Sequence, residues 1–562
     1  MPERTPDFLP ASLDHRSGNY HNPIHWLFAP GHSVPARLVP RWIFLRALAS
    51  IYFSAFYSLL FQIKGLIGPQ GILPVHDYLP AVARAYPLAK IWFAPTLFWL
   101  SSTSHALIID TTIGLIASIA AFLNLWPRLS FFICFVCFLS FVSAAQDFSN
   151  YQSDGMLLEA GFITLFFVPR GLRPGLGAAA PPSRASLFLL QWEWFRIYFE
   201  SGLVKLISGD RQWRTLTAMD HYYETGPLPT WIGWYTQHLP HSFHAASAAG
   251  TLILELGLVW MLFLPRRLRI LCFFIVTPWE IGVITTANYT FLNYLVLSLG
   301  FLLLDDRFLL QFAPDRRKAT SAPECDTQTQ PTPVLDDPAL ELGVPESDRP
   351  FRRIGNHVSA LRLAISTVML TWIFYNTTAE LILIPFRRLP LPTFPIAALE
   401  PFRIANQYGL FAVMTSGRYE IEFQGSNDGQ NWTPYLFRNK PQILNEAPRI
   451  YAPYQPRFDW NLWFASLGDW RQNQIVPLTE ERLLENDSDV LALFRNNPFP
   501  KTPPRYVRAM LWQYWFTTRE EKSATGNWWR RELLGMYAPE LTKTSQGKNA
   551  VVEWPAELPV HD

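Results

Sequence analysis

Four ionisable residues, Glu193, Arg196, Glu200 and Lys205, interrupt the otherwise apolar stretch LLQWEWFRIYFESGLVKL. On a helix turning about 100° per residue, Glu193, Arg196 and Glu200 fall within roughly 60° of one another and form one polar stripe. Their i,i+3 and i,i+4 spacings let the arginine be paired from both sides within the helix. Lys205 points about 140° away from Glu200, close to the helix end, where a long stem can carry its ammonium to an interface. A charge at mid-bilayer costs at least about 2.5 to 3.5 kcal/mol, so such residues persist with a role or with a partner. Two readings follow. One is an intramembrane polar site with Lys205 as a candidate catalytic base; the other, preferred, is an internally neutralised stripe that fixes packing while Lys205 snorkels. Asp110, Glu159, Glu255, Glu280 and Glu380 recur in other apolar segments and point to a polar interior or cavity.

Other chemistry-bearing patterns are weaker. HLPHSFH spaces His238, His241 and His244 by three, but Pro240 breaks a simple helix and no cysteine completes a zinc set, so no metal is expected. Cys134 and Cys137 have C-x-x-C spacing without a strand-to-helix setting and read as core residues of an apolar helix. There is no Walker loop, dinucleotide glycine motif or Gly-x-Ser-x-Gly elbow, and no cofactor is implied. Asn288, Asn376, Asn431 and Asn486 are sequons, two of them in or beside apolar segments.

The elements that must hold these residues are membrane helices. Of 562 residues, 49% are hydrophobic and 16% charged, a charge content well under that of soluble domains. The net charge of +2 gives no basic field for nucleic acid. Runs long enough to cross a bilayer lie near 42–62, 105–126, 129–147, 154–169, 186–207, 244–264, 268–286, 289–304 and 358–384, predicting about nine spans. The segment 89–100 is short, broken by Pro95, and reads as interfacial or re-entrant. Arg37 and Arg41, Arg128, Arg170, Arg173 and Arg184, and the arginines of PRRLR all fall on one side, which the positive-inside rule makes cytoplasmic.

This count divides the chain into a multi-span bundle over 1–304 with an outer loop at 208–243, a cytoplasmic linker at 305–357, a last span at 358–384, and a soluble luminal or periplasmic domain at 385–562. The linker is rich in Pro, Thr and acids and is expected to be poorly ordered. Trp231, Trp234 and Tyr235 anchor the outer loop at the headgroup layer. The soluble domain is expected to be α+β and β-rich in its first half. A hairpin is expected around Ser426-Asn427-Asp428-Gly429, with helices in LTEERLLENDSDVLALFRNN, N-capped by Thr479, and around WWRRELLGMY. No internal repeat is evident, which weakens a transporter reading.

The strings WRTLTAMDHYYETGPLPTWIGWYTQHLP, NYTFLNYLVLSLGFLLLDD, RFDWNLWFASLGDW and NNPFPKTPPRYVRAMLWQYWFT closely resemble the lipase maturation factor family, as do GLIGPQGILP and YQSDGMLLEAGF. The resemblance covers most of the chain. It implies a chaperone-like, non-enzymatic role in folding and assembly of secreted client proteins such as homodimeric lipases, from the endoplasmic reticulum membrane in eukaryotes or the cytoplasmic membrane in bacteria. It also singles out Arg457, Asp459, Trp460 and Trp463 as the family motif of the soluble domain. Helical spacing puts Trp460, Trp463 and Phe464 on one side, read as core, with client contact left to Trp528, Trp529 or an exposed strand edge.

A more distant resemblance links YFESGLVKLISGDRQW to the membrane domain of vitamin K-dependent γ-carboxylases and would make Lys205 a base in a quinone- or lipid-dependent enzyme. Where that pattern has a histidine, this chain offers Gln152, Ser153 and Asp154, so the resemblance implies a shared scaffold without the carboxylase chemistry.

Overall fold

Every one of the nine apolar stretches forms a helix in the computed structural model, which describes residues 23–29, 37–149, 151–312 and 349–556, the last range by backbone alone up to 356. They are α1 (Leu38–Leu60), α2 (Ser104–Phe122), α3 (Pro127–Ala144), α4 (Gln152–Phe167), α5 (Arg184–Ile207), α6 (His241–Leu256), α7 (Arg266–Thr286), α8 (Leu292–Gly300) and α9 (Arg349–Leu383). Six are long and apolar enough to cross a membrane: α1, α2, α3, α6 with its extension to Phe263, α7, and 357–383 of α9. The other three differ for physical reasons. The 16 residues of α4 and 9 of α8 fall short of the roughly 20 that a bilayer core needs. α5 is long enough at 24 residues but carries the ionisable stripe. All three are packed inside the bundle, α4 between α3 and α5, and α8 against α1, α5 and α7. The stretch 89–100 holds only the short helices Lys90–Phe93 and Leu97–Trp99 and does not span.

The basic loops meet at one end. Arg37 donates to the carbonyls of Leu302 and Leu304, and Arg41 to those of Leu176, Gly177 and Ala180. Arg266 pairs with Asp305, and Arg269 donates to the Leu303 carbonyl. The C-terminal domain sits at the opposite end. Part of the expected linker, 313–348, including Cys325, lies outside the described residues. Cys134 and Cys137 are buried thiols on α3, as core residues should be.

The C-terminal domain is α+β. One antiparallel sheet has the order β2-β1-β3-β4-β5, from β1 (Arg418–Ser426), β2 (Thr433–Pro434), β3 (Tyr506–Phe516), β4 (Trp529–Lys543) and β5 (Asn549–Glu553). Helices α10 (Arg457–Ser466) and α11 (Ile475–Leu484) pack on it. The expected hairpin is present. Ser426 Oγ accepts from the Asp428 and Gly429 amides, Gly429 takes φ +73°, and β2 returns beside β1.

Three expectations for this domain need correction. Its two longest strands lie in the second half, so the sheet is not concentrated in the first. The tract around WWRRELLGMY is not helical but enters β4, because pairing with β3 along its length outweighs local spacing; register shifts accommodate the mismatch. Thr479 is not an N-cap: α11 begins four residues earlier, and Thr479 Oγ1 donates to the Ile475 carbonyl at 2.6 Å inside the helix.

Candidate functional site

The polar stripe on α5 neutralises itself only in part: of the two expected intrahelical pairs, Arg196 with Glu200 forms and Arg196 with Glu193 does not. Arg196 Nη2 pairs with Glu159 of α4, while Nη1 lies 3.5 Å from Glu200 and donates to the Asn406 carbonyl at 2.6 Å. Glu193 forms no ion pair with it, and both its carboxylate oxygens lack a hydrogen-bond partner. The guanidinium is drawn instead towards the carboxylate of the neighbouring helix. The remaining acceptors hold chain from beyond the last span: the Asn406 amide donates to Glu159 Oε2 at 3.0 Å, the Tyr408 amide to Glu200 Oε2 at 2.6 Å, and the Gly409 amide to Gln152 Oε1 at 2.9 Å. Arg196 and Glu200 of the stripe, with Gln152 and Glu159 of α4, therefore form a rail on which residues 406–409 are laid, and it leads directly into the C-terminal domain.

The family-motif residues of α10 meet the bundle beside this rail. Arg457 grips Asp154 of α4 through two parallel hydrogen bonds, 2.7 and 2.9 Å, donates to the Phe148 carbonyl, and its guanidinium lies 4.7 Å from the Phe141 ring centre. Both charges are fully buried. Bidentate geometry of this kind fixes orientation as well as charge. Trp463 Nε1 donates to the Thr225 carbonyl of the outer loop, and the Trp460 ring packs against Tyr151 and Tyr289. Both tryptophans are core, as read, but Phe464 on the same side is 45% exposed. Asp459 is buried, accepts from Asn439 Nδ2 at 3.0 Å, and burial pushes its carboxyl up to about 6. Trp529, entertained as a client contact, is buried as well; Trp528 is half-buried against Trp234 and Tyr235.

Several junction residues had no motif to single them out. Asn288, read only as a sequon, donates to the Leu228 and Arg449 carbonyls and accepts from the Tyr451 and Ala452 amides. Gln62 at the end of α1 donates to the Gln455 carbonyl and accepts from the Arg457 amide. Arg418 of β1 donates to the outer-loop carbonyls of Glu224, Gly226 and Pro227 and pairs with Glu420. Asn288 alone of these opens one of the strings that carry the family resemblance; Gln62 and Arg418 lie outside them and had no signal in the sequence.

Lys205 does not snorkel. It is 3% exposed, and Nζ donates to both oxygens of Glu255 on α6, at 2.8 and 2.7 Å. The pair lines a cavity of about 350 Å³ between α5, α6, α7 and residues 408–411. Tyr198 and Glu280 also face it, the Tyr198 hydroxyl donating to Glu280 Oε2 at 2.6 Å. The walls are otherwise aromatic and aliphatic, including Trp213, Tyr222, Trp279 and Tyr289. Of the three imidazoles of HLPHSFH, His241 pairs with Asp220, His238 meets the Trp234 and Thr517 carbonyls, and His244 packs by Tyr223. Among the described residues no group of three His, Cys, Asp or Glu could hold a metal.

A helix bundle of membrane-crossing length, with an α+β domain locked to one end by buried ion pairs and amides, defines a multi-pass membrane protein with a fixed extramembrane domain. The chain belongs to the lipase maturation factor family. Residues 39–311 match the family's transmembrane domain and residues 404–539 its C-terminal domain. Lipase maturation factor 2 of Homo sapiens is 30% identical over 590 residues, covering 90% of this chain and 83% of that protein. Lipase maturation factor 2 of Gallus gallus is 31% identical over 90% of this chain and 81% of its own length, and lipase maturation factor 1 of Bos taurus 30% over 93% and 94%. No solved structure matches the chain.

Proposed function

We propose that this protein is a membrane-anchored maturation factor that assists the folding and assembly of secreted lipases, with its C-terminal domain on the luminal or periplasmic face. The reading rests on likeness to lipase maturation factors through both the membrane part and the C-terminal domain of one chain. The orientation is supported by the basic loops gathering at the end away from that domain, since short cytoplasmic loops collect Lys and Arg. A fixed domain suits the role: a surface held at constant height above the bilayer meets a client leaving the membrane in a defined orientation. Deleting the gene and measuring secreted lipase activity per amount of lipase protein tests it. Specific activity should fall, and an unchanged value would overturn the role. Asn431→Cys, on the exposed hairpin, should react with an impermeant maleimide added from the luminal or periplasmic side.

The enzyme reading, with Lys205 as a base, gains a cavity but loses the lone pair. A base must accept a proton, whereas Lys205 Nζ is engaged as donor to both Glu255 oxygens. Gln152 and Asp154 are committed to Gly409 and Arg457, which favours a scaffold turned to docking.

A further inference from the structure

The cavity at Lys205 has a floor and a mouth of different chemistry. Phe243, Ser247, Thr251 and Glu255 recur every four residues and so form one face of α6. Trp279, Gly282, Val283 and Thr286 line it from α7. The mouth lies between these helices: Phe243 is 41% exposed, and a Cβ built on Gly282 would meet nothing within 4 Å. Lys205, Glu255 and Glu280 are buried at the floor. Helices α6 and α7 are both of membrane-crossing length and apolarity, and their outer faces expose Ile253, Phe274 and Ile281. A mouth between such helices opens onto acyl chains.

The floor holds one cation and two carboxylates. Lys205 gives two of its three N–H groups to Glu255 and keeps one. Glu280 has the neutral Tyr198 hydroxyl as donor and no ion-pair partner among the described residues. The unmatched carboxylate lies among electron-rich rings, which attract ammonium groups through their faces. The volume of about 350 Å³ suits a small polar group rather than a whole diacyl lipid.

We propose that this cavity binds the headgroup of a zwitterionic phospholipid, its ammonium against Glu280 and the aromatic walls, its phosphate on the remaining N–H of Lys205, and its acyl chains leaving between α6 and α7. This reading is independent of the lipase role, because lipid retention and client activity are measured separately.

The test uses the full chain, purified in detergent and incubated with equal amounts of phosphatidylethanolamine and phosphatidylglycerol, with retained lipid counted by native mass spectrometry. Phosphatidylethanolamine should be retained over phosphatidylglycerol by about tenfold or more, as charge-assisted bonds to a buried partner predict. Glu280→Gln should bring the ratio close to one without lowering the melting temperature. Gly282→Leu, placed at the open mouth, should abolish retention of both lipids and serves if the first variant fails to fold. Equal retention of the two lipids by the unaltered protein, or an undiminished preference in Glu280→Gln with the mouth variant also retaining lipid, would overturn the proposal. Competition by free glycerophosphoethanolamine at the same concentration would overturn the lipid as the source of the headgroup.

Discussion

Arg457 and Asp154 show how much a single contact carries when both charges are buried. Removing one partner of such a pair costs about 3 to 5 kcal/mol, because the other charge stays buried alone, whereas replacing both by apolar groups is often nearly neutral. Arg457→Met should therefore lower the melting temperature sharply, and Arg457→Met combined with Asp154→Leu should recover most of the loss. A double variant as unstable as the sum of the two single ones would show that the ion pair is not the cause. Asp459 offers a pH test. Burial raises its carboxyl from the usual value near 4 to about 6, so between those values the folded state holds the proton more tightly than the unfolded chain. Stability from this group is then greatest at low pH and falls as pH rises from about 4 to about 6, by roughly 1.4 kcal/mol per pH unit. Asp459→Asn should remove that slope in melting curves taken across the window, and an identical slope in the variant would assign it to another group.

At the scale of elements, helix existence in the membrane part was legible because twenty-residue apolar runs have few alternatives. Partner choice was not. Nothing in LLQWEWFRIYFESGLVKL says that Arg196 will face Glu159 and Lys205 Glu255, since both partners come from other helices. The same limit explains the soluble domain. The hairpin at Gly429 is a local turn and was visible, whereas β4 becomes a strand only when β3 lies beside it. Thr479, expected to cap a helix, contrasts with Thr518, which the sequence reading did not single out. Thr518 makes a true capping box, its side chain accepting from the Glu521 amide while Glu521 accepts from the Thr518 amide. Thr479 only bonds back along its own helix. Thr518→Ala should thus cost about 1 kcal/mol, and Thr479→Val, which keeps the buried shape, should cost less than about 0.5 kcal/mol. Chemical denaturation of the purified protein reads both, and equal losses would mean the capping box contributes nothing.

The whole molecule behaves as one body because the domain's interior residues find their partners in the bundle. Arg457 needs Asp154, Arg418 needs the 224–227 carbonyls, and residues 406–409 need the acids of α4 and α5. Gly65 completes the fit: a Cβ there would overlap the Asp489 carbonyl, so a glycine in GLIGPQGILP lets the two backbones touch. Two consequences follow for the assembled chain. Gly65→Ala should lower the melting temperature even though alanine is the better helix former, since the backbone on the far side cannot move as a side-chain tip would. Residues 385–556 expressed without the bundle should fail to fold, because Arg457 would then be a buried charge without Asp154, or would hold α10 out in water, and Arg418 would keep Glu420 but lose its three carbonyl acceptors. Near-ultraviolet circular dichroism of that fragment, whose Trp460, Trp463 and Trp529 are buried in the intact protein, decides it. A structured aromatic spectrum with a cooperative melt would mean that the domain folds first and docks afterwards, and that the junction serves orientation alone.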